Sequence, residues 1–320
     1  ALALADALSK AGIPQQTTIA ASLGRLRFAP AATALRNLAS TSDPSLKKAV
    51  LRALAETGDL SSEQLLLTEA QKAGFSFDPA DATGSWFLFL KRTAENGNLA
   101  MVEHATLKMI KDNTLPEYAR TAALETLASV SGAKAIPVLL KSLKSPVKPL
   151  RMTAQRWLSK VADPATLNKI VKLASKTKSA ALQSELITML GDHKEKSALP
   201  LMYKLMKSEV PEVKAAAILA AAKTGQEEAV APLTDLLKAA DPTTISMSID
   251  ALRTIPGEEV ARAAAALIPR VKGDARTALI GLIAHRNAAE FSNLIFGEAQ
   301  SGDPQVRLAA ARALPAVATQ

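Results

Sequence analysis

The sequence has 320 residues, of which 48% are hydrophobic and 22% are charged, and its formal net charge is +9. No apolar run approaches the roughly 20 residues that a bilayer-spanning helix needs, so we expect no membrane insertion. The absence of cysteine excludes disulfide bonds, thiolate metal sites and a cysteine nucleophile, and it leaves the compartment open between cytoplasm and periplasm.

A pattern of small and apolar residues recurs along the chain and is sharpest at residues 303–314, DPQVRLAAARAL. We use Arg307 as the reference position, and the equivalent residues are called anchors. The ten anchors are Gln16, Lys47, Trp86, Arg120, Arg151, Gln183, Lys214, Ile245, Arg276 and Arg307. Most anchors are 31 residues apart. A period this regular predicts stacked helix pairs that cannot bury their apolar faces alone, and therefore one continuous array over residues 1–320.

The first predicted helix begins at the first residue, because residues 1–10 already carry the Ala and Leu pattern of the array. The chain does not begin with Met, and natural arrays usually end in a polar capping repeat. We therefore expect this sequence to be a segment of a larger protein.

Each repeat is predicted to consist of a helix A, a short turn and a helix B that carries the anchor. We expect Pro137, Pro200 and Pro232 to begin A helices, because the first helical turn does not use the N–H that proline lacks. Several B helices follow an aspartate that can accept hydrogen bonds from free backbone N–H groups. These aspartates are Asp43, Asp241 and Asp303.

Glycines near the ends of the B helices are expected to close them in the left-handed conformation. These glycines are Gly24, Gly58, Gly97, Gly132, Gly191 and Gly225. Apolar residues at minus one and at plus three, four, six and seven from each anchor predict one broad buried face. Leu158 and Leu314, at plus seven, belong to this face.

The repeat at about residues 59–97 is irregular, because the anchors on either side of its insertion are 39 residues apart. Aromatic residues are concentrated there, among them Phe75, Phe77 and Trp86. One interpretation is a patch that binds a partner. The other, which we favour, is that large side chains fill the space opened by the irregular repeat.

Positive charge is concentrated in residues 134–178, which contain eleven basic residues and one acidic residue, Asp163. Lysines near the ends of A helices would complement the helix dipole, which explains much of this stretch. That explanation does not cover Arg151, Arg156 and Lys160, which fall on one B helix beside Trp157. These four residues are candidates for contact with a partner, and an anionic partner would suit their charge.

Six of the ten anchors are Lys or Arg. We interpret them as structural cations that pair with the Asp or Glu of the preceding turn, because exposed pairs of this kind are common. The acids expected as partners are Asp43, Glu117, Glu212, Asp274 and Asp303.

The motif Asp-Pro-x-Val-Arg-x-x-Ala-x-x-Ala-Leu at 303–314, with looser copies at 43–54 and 211–217, resembles the HEAT repeat superfamily. It resembles in particular the short bacterial HEAT-like repeats first associated with phycobilisome lyases. The resemblance implies an all-α, right-handed α-α superhelix of about ten helix pairs with the B helices on its concave face. It does not carry one activity, since such repeats occur in many unrelated proteins.

No catalytic constellation is apparent in the sequence. The three histidines, His104, His193 and His285, are isolated, whereas a two-histidine metal site needs helical spacing. The His-Glu dipeptides of HEAT-repeat di-iron hydroxylases are absent. Some DNA glycosylases use HEAT-like arrays with aromatic and basic residues around a carboxylate, and here Trp157 and Asp163 are the local match.

The sequence therefore predicts a non-catalytic scaffold for protein–protein interaction, with another protein or peptide as partner and without a cofactor or metal. The alternative is a module that binds nucleic acid or another acidic polymer through the basic stretch 134–178. Binding of a polyanion would weaken steeply with salt, whereas an interface anchored by apolar residues would weaken less.

Overall fold

The computed structural model describes residues 1–238 and 241–318, which form twenty α-helices and no β-strand. The first ten helices are α1 (Leu2–Leu8), α2 (Ile13–Arg25), α3 (Ala32–Leu38), α4 (Pro44–Thr57), α5 (Glu63–Lys72), α6 (Ala82–Glu95), α7 (Leu99–Lys111), α8 (Glu117–Ser131), α9 (Ile136–Ser142) and α10 (Lys148–Val161). The other ten are α11 (Pro164–Lys176), α12 (Ala180–Asp192), α13 (Leu199–Leu205), α14 (Pro211–Gly225), α15 (Glu227–Leu236), α16 (Pro242–Thr254), α17 (Glu259–Leu267), α18 (Gly273–His285), α19 (Ser292–Glu298) and α20 (Pro304–Val317).

The chain divides into two compact units, residues 1–162 and 163–320. Each unit holds five helix pairs, in which an odd-numbered helix packs against the even-numbered helix that follows it. Within each unit, successive even-numbered helices also pack against one another. The predicted all-α class and the ten helix pairs are confirmed.

The predicted register of the even-numbered helices is confirmed by where the anchors lie. Every anchor is the fourth residue of its helix, except Trp86, which is the fifth residue of α6. The positions predicted to face the core are mostly buried, as Leu158 shows with no exposed surface. Exceptions include the helices at the two ends: in α2 Ile19 is half-buried, and in α20 Leu314 is half-buried and Ala311 is exposed. No later helix pair in the described residues covers this face of α20, so its burial is incomplete.

The predicted helix caps are formed by aspartate side chains. Asp43 accepts a hydrogen bond from the backbone N–H of Leu46 at 2.8 Å, and Asp241 accepts one from Thr244 at 3.0 Å. Asp303 caps α20 in the same way. Each cap satisfies a backbone donor that has no partner within the helix.

Two of the three prolines expected to begin A helices do so, because Pro137 and Pro200 lie in the first turns of α9 and α13. The prediction for Pro232 is wrong, since this residue lies inside α15. Proline there leaves the carbonyl of Glu228, four residues earlier, without its helical donor. The hydroxyl of Tyr203 donates to that carbonyl at 3.3 Å, which replaces part of the lost bonding.

The predicted left-handed glycines are confirmed only in part. Gly58, Gly97 and Gly132 have positive φ, but Gly24, Gly191 and Gly225 lie within helices. Non-glycine residues with positive φ follow α2, α12 and α14, and they are Arg27, Lys194 and Gln226.

Gly24 and Gly191 instead allow close contact between neighbouring even-numbered helices. A Cβ atom at Gly24 would lie 2.8 Å from the Cα of Ala53, and one at Gly191 would lie 2.8 Å from the Cα of Ala220. Because the obstructing atoms are the Cα and Cβ of alanines, which cannot move without the backbone, a side chain at either glycine would force the helices apart.

We expect Gly191→Ala to lower the free energy of unfolding by about 1–2 kcal/mol, because overpacking outweighs the better helix propensity of alanine. The matched control is Gly281→Ala within α18, where an added Cβ would meet no atom within 4 Å. The control should raise the free energy of unfolding by about 0.5–1 kcal/mol. Urea denaturation measures both variants, and a stabilised Gly191→Ala protein would contradict the close contact.

Contrary to the expectation from the sequence, one stretch, Glu117–Ser142, is apolar enough by length and composition to cross a membrane. In the structure a short 3-10 turn divides this stretch into α8 and α9. α8 packs against α7 and α10, and Leu124 and Leu127 of α8 are buried. This stretch therefore forms two packed helices of the first unit.

Candidate functional site

In each unit the even-numbered helices present an accessible face, which we call the outer face and define as the residues one and five positions after each anchor. All of these residues are exposed or half-buried. Arg156 of α10 and Glu125 of α8 occupy equivalent positions on it, five residues after their anchors. Equivalent positions on neighbouring repeats lie side by side, and this is how the candidate site is assembled.

Three of the four candidate residues on α10 come together around the carboxylate of Glu125. The guanidinium of Arg156 donates to this carboxylate, and the indole N–H of Trp157 donates to the same oxygen at 2.8 Å. The ammonium of Lys160 lies 4.9 Å from the centre of the Trp157 ring, in a cation–π contact. The result is a polar network that joins α8 to α10.

The hydrogen bonds of this network occupy polar atoms that the cluster would need to bind a ligand. Glu125 balances the charge of Arg156, and the only polar atom of Trp157 already has an acceptor. Lys160 is exposed and has no acidic partner among the described residues. The arrangement suits a charged rim of a protein interface better than a dedicated polyanion site.

Arg151 lies apart from the other three, near the start of α10. Its guanidinium donates to the carbonyl oxygens of Ser145 and Pro146, both at 3.1 Å. Arg307 makes the equivalent bonds to Ser301 and Gly302. These arginines fasten the loop that precedes their own helix.

The cationic anchors were predicted to pair with acids of the preceding turn, and this choice of partners is wrong. Lys47 contacts Glu69, Lys214 contacts Asp241 and Arg276 contacts Glu298, and all three acids come later in the chain. Together with the carbonyl-bound arginines, these pairs make the cationic anchors structural, as the sequence interpretation held.

The aromatic candidates of the irregular repeat are divided between core and surface. Trp86 is 1% exposed, stacks on Phe89 with ring centres 5.6 Å apart, and directs its N–H at the sulfur of Met109. Phe75 is also buried, whereas Phe77 is 96% exposed. Trp86 and Phe75 therefore fill the space of the irregular repeat, and Phe77 alone of the three is accessible to a partner.

The basic stretch 134–178 passes from the first unit into the second at residue 163. Asp163 caps α11 by accepting from the backbone N–H of Thr166 at 2.7 Å. Hydrogen bonding to Thr166 holds the pKa of Asp163 below its usual range. The carboxylate expected in a glycosylase-like site thus has a structural role at the start of a helix.

One cationic feature was missed by the sequence interpretation. In the first unit an open groove of about 810 Å³ is lined by residues from α7 to α10, including Lys111, Arg120, Lys141 and Lys144. Lys141 and Lys144 were recognised only as part of the basic stretch. Their neighbours in space come from the preceding repeat, so no local motif identifies the groove.

Residues 167–253 match the family model described as HEAT repeats. The match begins within α11 and ends within α16, so it extends over three helix pairs of the second unit. No curated protein matches the sequence significantly. The resemblance seen in the repeat motif is confirmed at the level of the HEAT superfamily.

Proposed function

We propose that this chain, in which residues 167–253 match HEAT repeats, is a non-catalytic scaffold that binds another protein. The observation that carries the proposal is the HEAT match at residues 167–253, together with the same pairing of helices in both units. HEAT repeats generally serve as scaffolds for protein–protein interaction, and stacked repeats provide an extended surface for it.

The composition of the outer face supports a protein partner. Large apolar side chains are exposed there among charged residues, and their exposed fractions are 55% for Met152, 49% for Leu219 and 46% for Leu308. Apolar anchors with a charged rim are typical of protein interfaces. We propose that the partner contacts this face.

The competing function is polyanion binding through residues 134–178. Arg156 and Trp157 are engaged with Glu125, and Arg151 donates to backbone carbonyls, so these side chains offer less to phosphate groups than their sequence suggests. Polyanion binding is therefore one of the outcomes that the experiment below distinguishes.

The experiment is capture of partners from a lysate of the source organism, with and without nuclease treatment. A triple variant, Met152→Glu, Leu219→Glu and Leu308→Glu, alters the outer face. Its matched control places the same three charges at Leu2, Leu60 and Phe296, which are also exposed apolar residues but lie outside the even-numbered helices. Circular dichroism checks that both variants remain helical.

We expect one protein to be captured after nuclease treatment by the wild type and the control, and to be lost with the outer-face variant. Capture that disappears with nuclease would support polyanion binding instead. A reproducible turnover that a point substitution abolishes would contradict the non-catalytic assignment.

A further inference from the structure

The groove in the first unit has apolar walls. Its apolar lining comes from Leu107 and Ile110 of α7, from Pro137 and Val138 of α9, and from Leu150 of α10. Its volume of about 810 Å³ lies within the ~300–1,000 Å³ typical of sites that take a ligand of drug or short-peptide size.

The polar part of the lining is cationic. Lys111, Arg120, Lys141 and Lys144 line the groove, and no acidic residue does. None of the three lysines forms an ion pair with a described residue, and Lys141 and Lys144 are exposed. The guanidinium of Arg120 is held in place by donating to the carbonyl of Ile110 at 3.2 Å.

A nearby acid, Asp112, interacts with the charge of Arg120, but it forms no ion pair with the groove lysines among the described residues. The carboxylate of Asp112 accepts hydrogen bonds from the hydroxyl and the backbone N–H of Thr114, at 2.6 and 2.9 Å. These bonds to Thr114 lower the pKa of Asp112 and keep its carboxylate in the turn after α7. Helix dipoles favour lysine near the ends of α7 and α9, but they do not account for the apolar walls between the lysines.

We propose that this groove binds a short acidic segment of a partner protein, in which Asp or Glu residues alternate with apolar residues. The carboxylates would pair with the lysines and the apolar side chains would contact the walls. A single-stranded nucleic acid fits less well, because no aromatic residue lines the groove to stack on its bases. The inference rests on the proposed scaffold function and adds a second docking surface, formed mainly by odd-numbered helices and their turns.

The test uses fluorescence anisotropy with a labelled peptide of about nine residues, which spans up to ~30 Å when extended. The sequence of this probe repeats a unit of two glutamates followed by one leucine. One control peptide replaces every leucine by serine and keeps the charge, and a second replaces every glutamate by lysine. A single-stranded oligonucleotide of equal charge serves as the polyanion control.

The protein variant is Lys141→Glu with Lys144→Glu. Its matched control is Lys169→Glu with Lys172→Glu, two exposed lysines on α11 in the second unit, so the change in net charge is the same. We expect the groove variant to weaken binding of the probe about tenfold or more, since two attractions become repulsions. The α11 variant should change the affinity less than about twofold.

The leucine-to-serine peptide should also bind about tenfold more weakly, because it cannot use the apolar walls. Equal binding of the two acidic peptides, or equal effects of the two lysine variants, would overturn the inference. It would also be overturned if the oligonucleotide bound as tightly and were lost with the groove variant. Partner capture on the outer face does not depend on this groove, so the scaffold proposal can survive that result.

Discussion

Trp86→Ala is expected to lower the free energy of unfolding by about 3–5 kcal/mol. The indole is 1% exposed, stacks on Phe89 and contacts Met109, so its removal leaves a large cavity between α6 and α7. A well-packed core closes such a cavity only in part. Urea denaturation followed by circular dichroism measures the change.

Phe77→Ala is the matched control, because Phe77 belongs to the same irregular repeat but is 96% exposed. Its removal should change the free energy of unfolding by less than about 0.5 kcal/mol. If the two substitutions had similar small effects, Trp86 would not be a core residue, and its candidacy as a partner contact would return.

Arg276→Ala is expected to destabilise the protein by about 3–5 kcal/mol, because it leaves a buried carboxylate without its partner. Arg276 and Glu298 form two parallel hydrogen bonds of 2.7 Å each, and the Glu298 side chain is only 8% exposed. The bonds to Glu298 raise the pKa of Arg276, so its guanidinium remains charged in the folded protein.

A comparison with the exposed pair of Arg253 and Asp250 separates burial from charge. Arg253→Ala removes a bond of 3.0 Å on the surface of α16 and should cost no more than about 1 kcal/mol. Replacing Arg276 and Glu298 together by Met and Leu should recover most of the loss, because no unpaired charge then remains. Denaturant titration of these three variants and the wild type measures the differences in the free energy of unfolding. A loss at Arg276→Ala no larger than that at Arg253→Ala would contradict a strongly coupled buried pair.

The register of the repeats could be predicted from the sequence because one physical requirement, burial of the same helix face, recurs with the same period. The anchors, the aspartate caps and the core position of Leu158 follow from local patterns of this kind. Leu314 has the same pattern but is half-buried, since burial depends on the helices that cover a face and not on the face alone.

Features that depend on contacts between repeats were harder to predict. Gly191 looked like a helix end because glycine often closes helices, whereas its role is set by the backbone of Ala220 in the next repeat. Pro232 looked like a helix start, and the hydroxyl of Tyr203 that accommodates it lies on another helix.

The network at the candidate site left one signal that could have been used. Arg156 follows Glu125 by 31 residues, the common spacing of the anchors, so opposite charges at equivalent positions indicated a pair between neighbouring helices. The groove left no comparable signal, because its lysines lie near the ends of two helices and in a loop that belong to different repeats.

The most direct test of the scaffold proposal is the dissociation constant of the captured protein, measured by calorimetry at about 50 mM and about 200 mM salt. Binding that rests on apolar contacts with a charged rim should weaken by less than about tenfold over this range. A loss of about a thousandfold or more is the signature of counterion release from a polyanion, and it would contradict a protein scaffold.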